Sequence, residues 1–110
     1  MRHFAANYIF TGSEFVKNAC LTYSNEGRLL WLGAENSGLQ EKERMYFLNG
    51  VICPYFDVNQ LKNNRLSMKE FLYSLNVMFD KDSKLPVVLL ENIDFQTMNF
   101  TKETVAREID

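Results

Sequence analysis

The sequence predicts a mainly β fold: a small β-sandwich or partly open barrel built from strands at both ends of the chain, plus one bridging α-helix. Three observations carry this. Aromatic residues make up 14% of the 110, with nine Phe, five Tyr and one Trp, and aromatic side chains suit half-buried pleated surfaces. The first half alternates with a period of two between short turns rich in Gly, Asn and Ser. Only one stretch carries a helical period. A chain of 110 residues is one domain's worth, able to bury roughly 65% of its unfolded surface in one modest core.

The elements follow in order. In "HFAANYIF", Phe4, Ala6, Tyr8 and Phe10 fall on one side of a strand. "TGSE" turns the chain, and "FVKNACLTY" alternates again, with Ala19, Leu21 and Tyr23 on one face. "SNEG" supplies a tight reversal into "RLLWLG", so these two strands form a hairpin. "AENSGLQEKE" reads as an exposed polar loop. "RMYFLNGVIC" reads as one or two short strands broken at Asn49-Gly50, a dipeptide that tolerates positive φ.

The middle, residues 57–84, reads as a bridge. Ser67-Met68-Lys69-Glu70 matches a capping box, in which hydroxyl and carboxylate each satisfy a free N–H at a helix start. After it Met68, Phe71, Leu72, Leu75, Met78 and Phe79 recur on one helical face, which predicts a helix over about 67–79. Such a stripe is foremost a core surface. "LPVVLLENI" is short and apolar enough for a buried strand, and "DFQTMNF" alternates with an ambiguous facing. Strands are thus expected over about 2–56 and 85–100, in a single unit spanning 1–110. "TKETVAREID" is polar and charged, and reads as a last helical turn or a frayed tail.

Composition excludes several classes of function. Hydrophobic residues at 46% and charged residues at 24% are ordinary for a globular protein. A net charge of −2 and a pI near 5.4 give no electrostatic reason to expect nucleic acid or an anionic membrane surface. No apolar run approaches the ~20 residues a membrane span needs. Cys20 and Cys53 are the only cysteines, and Met1-Arg2-His3-Phe4 leads into no apolar leader segment. A cytoplasmic protein with buried, reduced thiols is expected.

The usual catalytic constellations are missing. His3 is the only histidine: a zinc site would have to gather it with Cys20 and Cys53, whose spacing gives no support, and a Ser–His or Cys–His pair would have to use it as its base. The acidic pairs Glu41 with Glu43, Asp80 with Asp82 and Glu91 with Asp94 are expected to lie in solvated surroundings. No GxGxxG or GxxxxGK[ST] is present to cradle a phosphate. The expectation is no catalytic, metal-binding or cofactor-binding residue, and no cofactor.

Two distant stretches carry a resemblance. "FAANYIFTG…FVKNACLTYSNEGRLLWLG…MYFLNGVICPYF" and "LPVVLLENIDFQTMNFTKETVAREI" resemble the two ends of metal-dependent amidohydrolases of the cytosine/guanine deaminase and imidazolonepropionase kind. There a pattern like N-G-x-x-x-P-G-F is followed by H-x-H metal ligands at the mouth of a (β/α)8 barrel. The chain's two ends there form a composite β-sandwich beside that barrel. A barrel needs about 250 residues, and here only the bridge joins the two ends. Where the family has glycine after Pro54 this chain has Tyr55, and the H-x-H positions fall on Gln60 and Lys62, or in the other register on Asn59 and Leu61. The resemblance therefore implies the composite domain without the barrel's metal chemistry.

The resulting expectation is a non-catalytic interaction or scaffold protein. Its possible interaction surface is Tyr55, Phe71, Leu72, Leu75, Met78 and Phe79, where the barrel would have docked, and its expected partner is a second copy in a homodimer. The alternatives are a small-molecule binding module and a regulatory or accessory subunit of a separate amidohydrolase.

Overall fold

The computed structural model describes residues 1–34 and 45–110. It is mainly β, with six strands: β1 (Arg2–Phe10), β2 (Phe15–Tyr23), β3 (Leu29–Ala34), β4 (Met45–Cys53), β5 (Val87–Glu91) and β6 (Val105–Ile109). They form one mixed sheet in the order β3-β2-β1-β4-β5-β6. Every pairing is antiparallel except β1 with β4. The sheet curls without closing into a barrel. Where it comes nearest to closing, the Leu29 N–H donates to the Ser83 carbonyl and the Leu85 N–H to the Gly27 carbonyl, each at 2.9 Å. This seam joins the β2–β3 turn to the segment entering β5.

The expected hairpin of β2 and β3 is present, and the expected turn at "TGSE" makes another of β1 and β2. Thr11 closes the first turn, its N–H donating to the Glu14 carbonyl at 2.9 Å, and Ser24 and Arg28 close the second. β4 is one continuous strand, yet its Asn49-Gly50 irregularity is real. Ala6 pairs with Leu48 but Tyr8 with Val51, so two residues of β4 stand opposite Asn7 alone. That is a β-bulge, and the Asn7 side-chain oxygen accepts the Gly50 N–H at 2.8 Å.

The bulge corrects the expected facing of β1. Phe4 and Ala6 belong to one core cluster with Ile9, whereas Phe10 lies in a second cluster with Tyr8 packed against it. β2 changes phase at the same place. Asn18 adopts φ +50° between Ala19 and Lys17, the partners of Ala6 and Tyr8. Beyond it Phe15 joins the second cluster, while Val16 packs on the first. The paired irregularities keep the two strands in register and exchange their faces, so both sides of the sheet carry core.

The second cluster is covered by α1 (Met68–Ser74). The capping box forms as expected, the Glu70 N–H donating to the Ser67 hydroxyl and the Ser67 N–H to the Glu70 carboxylate. The Ser67 hydroxyl also donates to that carboxylate at 2.8 Å, which holds Glu70 below the ordinary carboxylate range. The helix is shorter than the expected 67–79. Leu75 caps its C-terminus, and Asn76 takes the left-handed conformation, φ +54°, that ends helices.

The C-terminal expectations also need correction. "DFQTMNF" is a turn pinned by Asp94, whose carboxylate accepts the Gln96 N–H at 2.9 Å. The expected polar tail is instead strand β6, paired with β5 from Val87↔Ile109 to Glu91↔Val105. Thr101 and Thr104 anchor its approach, both hydroxyls donating to the Asn92 carbonyl. Among the described residues no helix is long and apolar enough to cross a membrane.

Candidate functional site

β4 delivers the chain to the candidate site. Val51, Ile52 and Cys53 are fully buried, because β5 pairs alongside them and core lies on both faces. Pro54 then ends the ladder, Tyr55 turns outward and Phe56 turns back inward, its ring edge-on to Phe71 at 5.6 Å. The next residues form a 3-10 turn, Val58–Leu61, capped by the Asp57 side chain, which accepts the Asn59 N–H at 3.0 Å. Asn59, Gln60 and Lys62 are exposed on it and Leu61 is half-buried. The positions where the resemblance places metal ligands are therefore used for a surface turn. Among the described residues no group of three or more His, Cys, Asp and Glu could hold a metal ion.

Beside Pro54 lies an open cleft of about 290 Å³. Its walls come from Tyr55, from the segment after the helix with Met78 and Phe79, and from Lys84 and Val87 at the entry to β5. Local chemistry holds these walls in place. The Phe79 N–H donates to the Thr11 carbonyl at 3.1 Å, tying the post-helical segment to the β1–β2 turn. Asp80 and Ser83 then form a tight turn in which the Asp80 N–H donates to the Ser83 hydroxyl at 2.8 Å and the Ser83 N–H to the Asp80 carbonyl at 3.1 Å.

The expected interaction surface divides. Phe71 and Leu72 are 4% and 0% exposed, inside the second core cluster, so they are withdrawn from any surface. Leu75 and Phe79 are half-buried against the second and first clusters respectively. Tyr55 and Met78 remain, 50% and 60% exposed on the rim of the cleft. The helical stripe misled for a physical reason: its first turns dock on the sheet, and Asn76 ends the helix before Met78 can share that face. Lys84 and Val87 were not foreseen as cleft residues, and nothing in their local pattern marks them.

The remaining reactive side chains are committed elsewhere. His3 is 3% exposed and its Nδ1 lies 2.9 Å from the Thr22 hydroxyl, a core arrangement. The Glu91 carboxylate accepts from Arg107 Nε at 2.7 Å. Asp80 and Asp94 accept backbone N–H groups in turns. Glu41 and Glu43 lie outside the described residues. The Ser83 hydroxyl is engaged with Asp80.

Cys53 stands next to Pro54, yet its thiol is wholly buried and burial pushes it well above the ordinary thiol range. A nucleophilic cysteine needs the opposite, a thiolate favoured near neutral pH. Cys53 should therefore resist iodoacetamide in the folded protein and react only when urea opens the chain, as followed by mass spectrometry. Labelling at the rate of a free thiol without denaturant would show that the end of β4 is not sealed.

No protein-family model matches the sequence, and no curated protein matches it. Among solved structures, an N-acetyl-D-glucosamine-6-phosphate deacetylase from Mycobacterium smegmatis is similar, with a TM-score of 0.40 and 21% identity. The match covers 51% of this chain and 15% of the deacetylase chain, so this protein corresponds to only a small part of that enzyme's length.

Proposed function

We propose that this protein is a non-catalytic interaction domain, an amidohydrolase-type composite sheet without its barrel, which associates through the rim of the cleft beside Pro54. The observation that carries the reading is the exposure of Tyr55 and Met78 on that rim, while Phe71 and Leu72 of the same apolar series are buried. Large side chains left uncovered around a concavity are the usual anchors of protein contacts. The ancestry is supported by register. "VIC" of the N-terminal motif pairs directly with "VLL" of the C-terminal one, Val51 with Leu90, Ile52 with Leu89 and Cys53 with Val88. The cleft itself offers Lys84 and an engaged Ser83 with no histidine beside them, a poor basis for acid–base or nucleophilic chemistry.

The partner in this reading is a second copy of the chain, the commonest solution for a self-complementary patch. Light scattering over a hundredfold dilution should give a mass above 12.9 kDa that falls toward it on dilution, and Met78→Asp should bring the mass to the monomer at every concentration. A constant monomer mass for the unaltered chain sinks the dimer. A second reading, a small-molecule binding module, is favoured by the concavity of the cleft and by Lys84 at its edge. It is tested by a saturable rise in melting temperature with a metabolite, abolished by Tyr55→Ala.

A further inference from the structure

We propose that the seam of the sheet holds an oxyanion-binding site formed by Ser24, Arg28 and Lys84. Arg28 and Lys84 are directly opposed in an antiparallel bridge, and together with Ser24 and Glu26 they line a cavity of about 310 Å³. Opposed residues of such a pair project their side chains to the same side, where two like charges repel. Both side chains are exposed, and neither donates a hydrogen bond or forms an ion pair among the described residues. Two cations set side by side over a cavity with no bonded acid are the arrangement an oxyanion completes, since each contact it makes is charge-assisted.

Ser24 adds a directed donor. Its hydroxyl oxygen already accepts the Arg28 N–H at 3.1 Å, and its own proton has no acceptor among the described residues, which leaves it to donate into the cavity. The seam hydrogen bonds Leu29 to Ser83 and Leu85 to Gly27 flank the bridge on either side. They fix the backbones of both cations, so only the side chains must be ordered on binding. Glu26 lines the same cavity and bears the opposing charge. With two cations against one anion, the described residues of the lining keep a net positive charge of one.

The ligand is a tetrahedral oxyanion, either free phosphate or the phosphate of a small organic monoester. Lys84 also borders the cleft beside Pro54, so an organic substituent on the phosphate has Tyr55 and Met78 within the adjoining space. The site goes beyond the contact proposed above and stands without it.

The test follows amide chemical shifts of the isotope-labelled chain while sodium phosphate replaces sodium chloride at constant ionic strength. Saturable shifts are expected at residues 24–29 and 83–85. Arg28→Gln and Lys84→Gln should each weaken binding about tenfold or more. Each should melt in chloride at or above the unaltered temperature, because the opposed charges no longer repel. Glu26→Gln should strengthen binding, which a merely structural role for Glu26 would not produce. Phenyl phosphate distinguishes the sources. Tighter binding with added shifts at Tyr55 and Met78 indicates a monoester, and binding equal to that of phosphate indicates the free ion. Both results support the site. Shifts that do not saturate, or that are equal in the unaltered chain and in the two cation variants, overturn it.

Discussion

Leu72→Asp is expected to lower the free energy of unfolding by about 4 kcal/mol or more, combining lost packing with an unpaired buried charge. Leu72 is fully buried on α1, in the cluster that includes Phe10, Val51, Val88 and Leu90. Truncating such a leucine typically costs about 2–5 kcal/mol, and a carboxylate there finds no cation among the buried members of the cluster. Domains of this kind are stable by only about 5–15 kcal/mol, so the variant should be extensively unfolded at modest urea concentrations. Lys69→Gln, on the exposed side of the same helix, should stay within about 0.5 kcal/mol of the unaltered chain. Leu75, half-buried at the helix end, should fall between them when changed to Asp. Urea midpoints by circular dichroism decide the matter. Equal midpoints for Leu72→Asp and Lys69→Gln would mean that α1 does not dock on the sheet.

Gly50→Ala should cost about 3 kcal/mol, near the upper end of what overpacking usually exacts. A β-carbon on Gly50 would overlap the Leu90 carbonyl oxygen and press on the Leu89 side chain. Leu90 is the partner of Val51 across the β4–β5 ladder, so the clash falls on backbone that cannot swing aside as a side-chain tip could. Gly27→Ala gives the contrast. Gly27 has φ +81° in the β2–β3 turn, but its added carbon would meet only the Leu85 side chain at 3.7 Å, an ordinary contact. Its cost is the left-handed conformation alone, about 1–2 kcal/mol. Thermal unfolding that shows the two alanine variants equally destabilised would remove the close approach of β4 and β5 as the cause. If Gly50→Ala is the more severe, the same variant should raise hydrogen exchange at Val51 and Ile52 before it raises it in β2.

Cys53 and Tyr23 illustrate what burial does in this core. Both are fully enclosed, and burial pushes both above their ordinary ionisation ranges. The Tyr23 hydroxyl has no hydrogen-bond partner among the described residues, an unmet donor that typically costs about 1–3 kcal/mol. Neither residue's local sequence signals this, because alternation shows which face a side chain takes and not how deeply that face is covered.

What the sequence determined by itself was local. Period-two alternation marked β1 and β2, "SNEG" marked the hairpin into β3, Ser67 and Glu70 marked the helix start, and Asn49-Gly50 marked the irregularity in β4. Each of these acts through groups a few residues apart, so the code for it lies within a short window. Tertiary structure decided the rest. β6 has only Ile109 buried and Ala106 partly so; it is a strand because β5 offers an unpaired edge, and a polar sequence can fill an edge without any apolar pattern. The phase change at Asn7 and Asn18 needs two strands to accommodate it together. The helix stops at its Leu75 cap although its apolar series runs on to Met78 and Phe79, because Asn76 turns left-handed and the Phe79 N–H is taken by the Thr11 carbonyl of the β1–β2 turn. The cleft beside Pro54 joins the end of β4 to the entry of β5, and the opposed pair Arg28 and Lys84 is assembled from opposite halves of the chain by the curl of one sheet. Sheet curvature is set by the summed twist and bulges of all six strands, a quantity no single stretch of sequence contains.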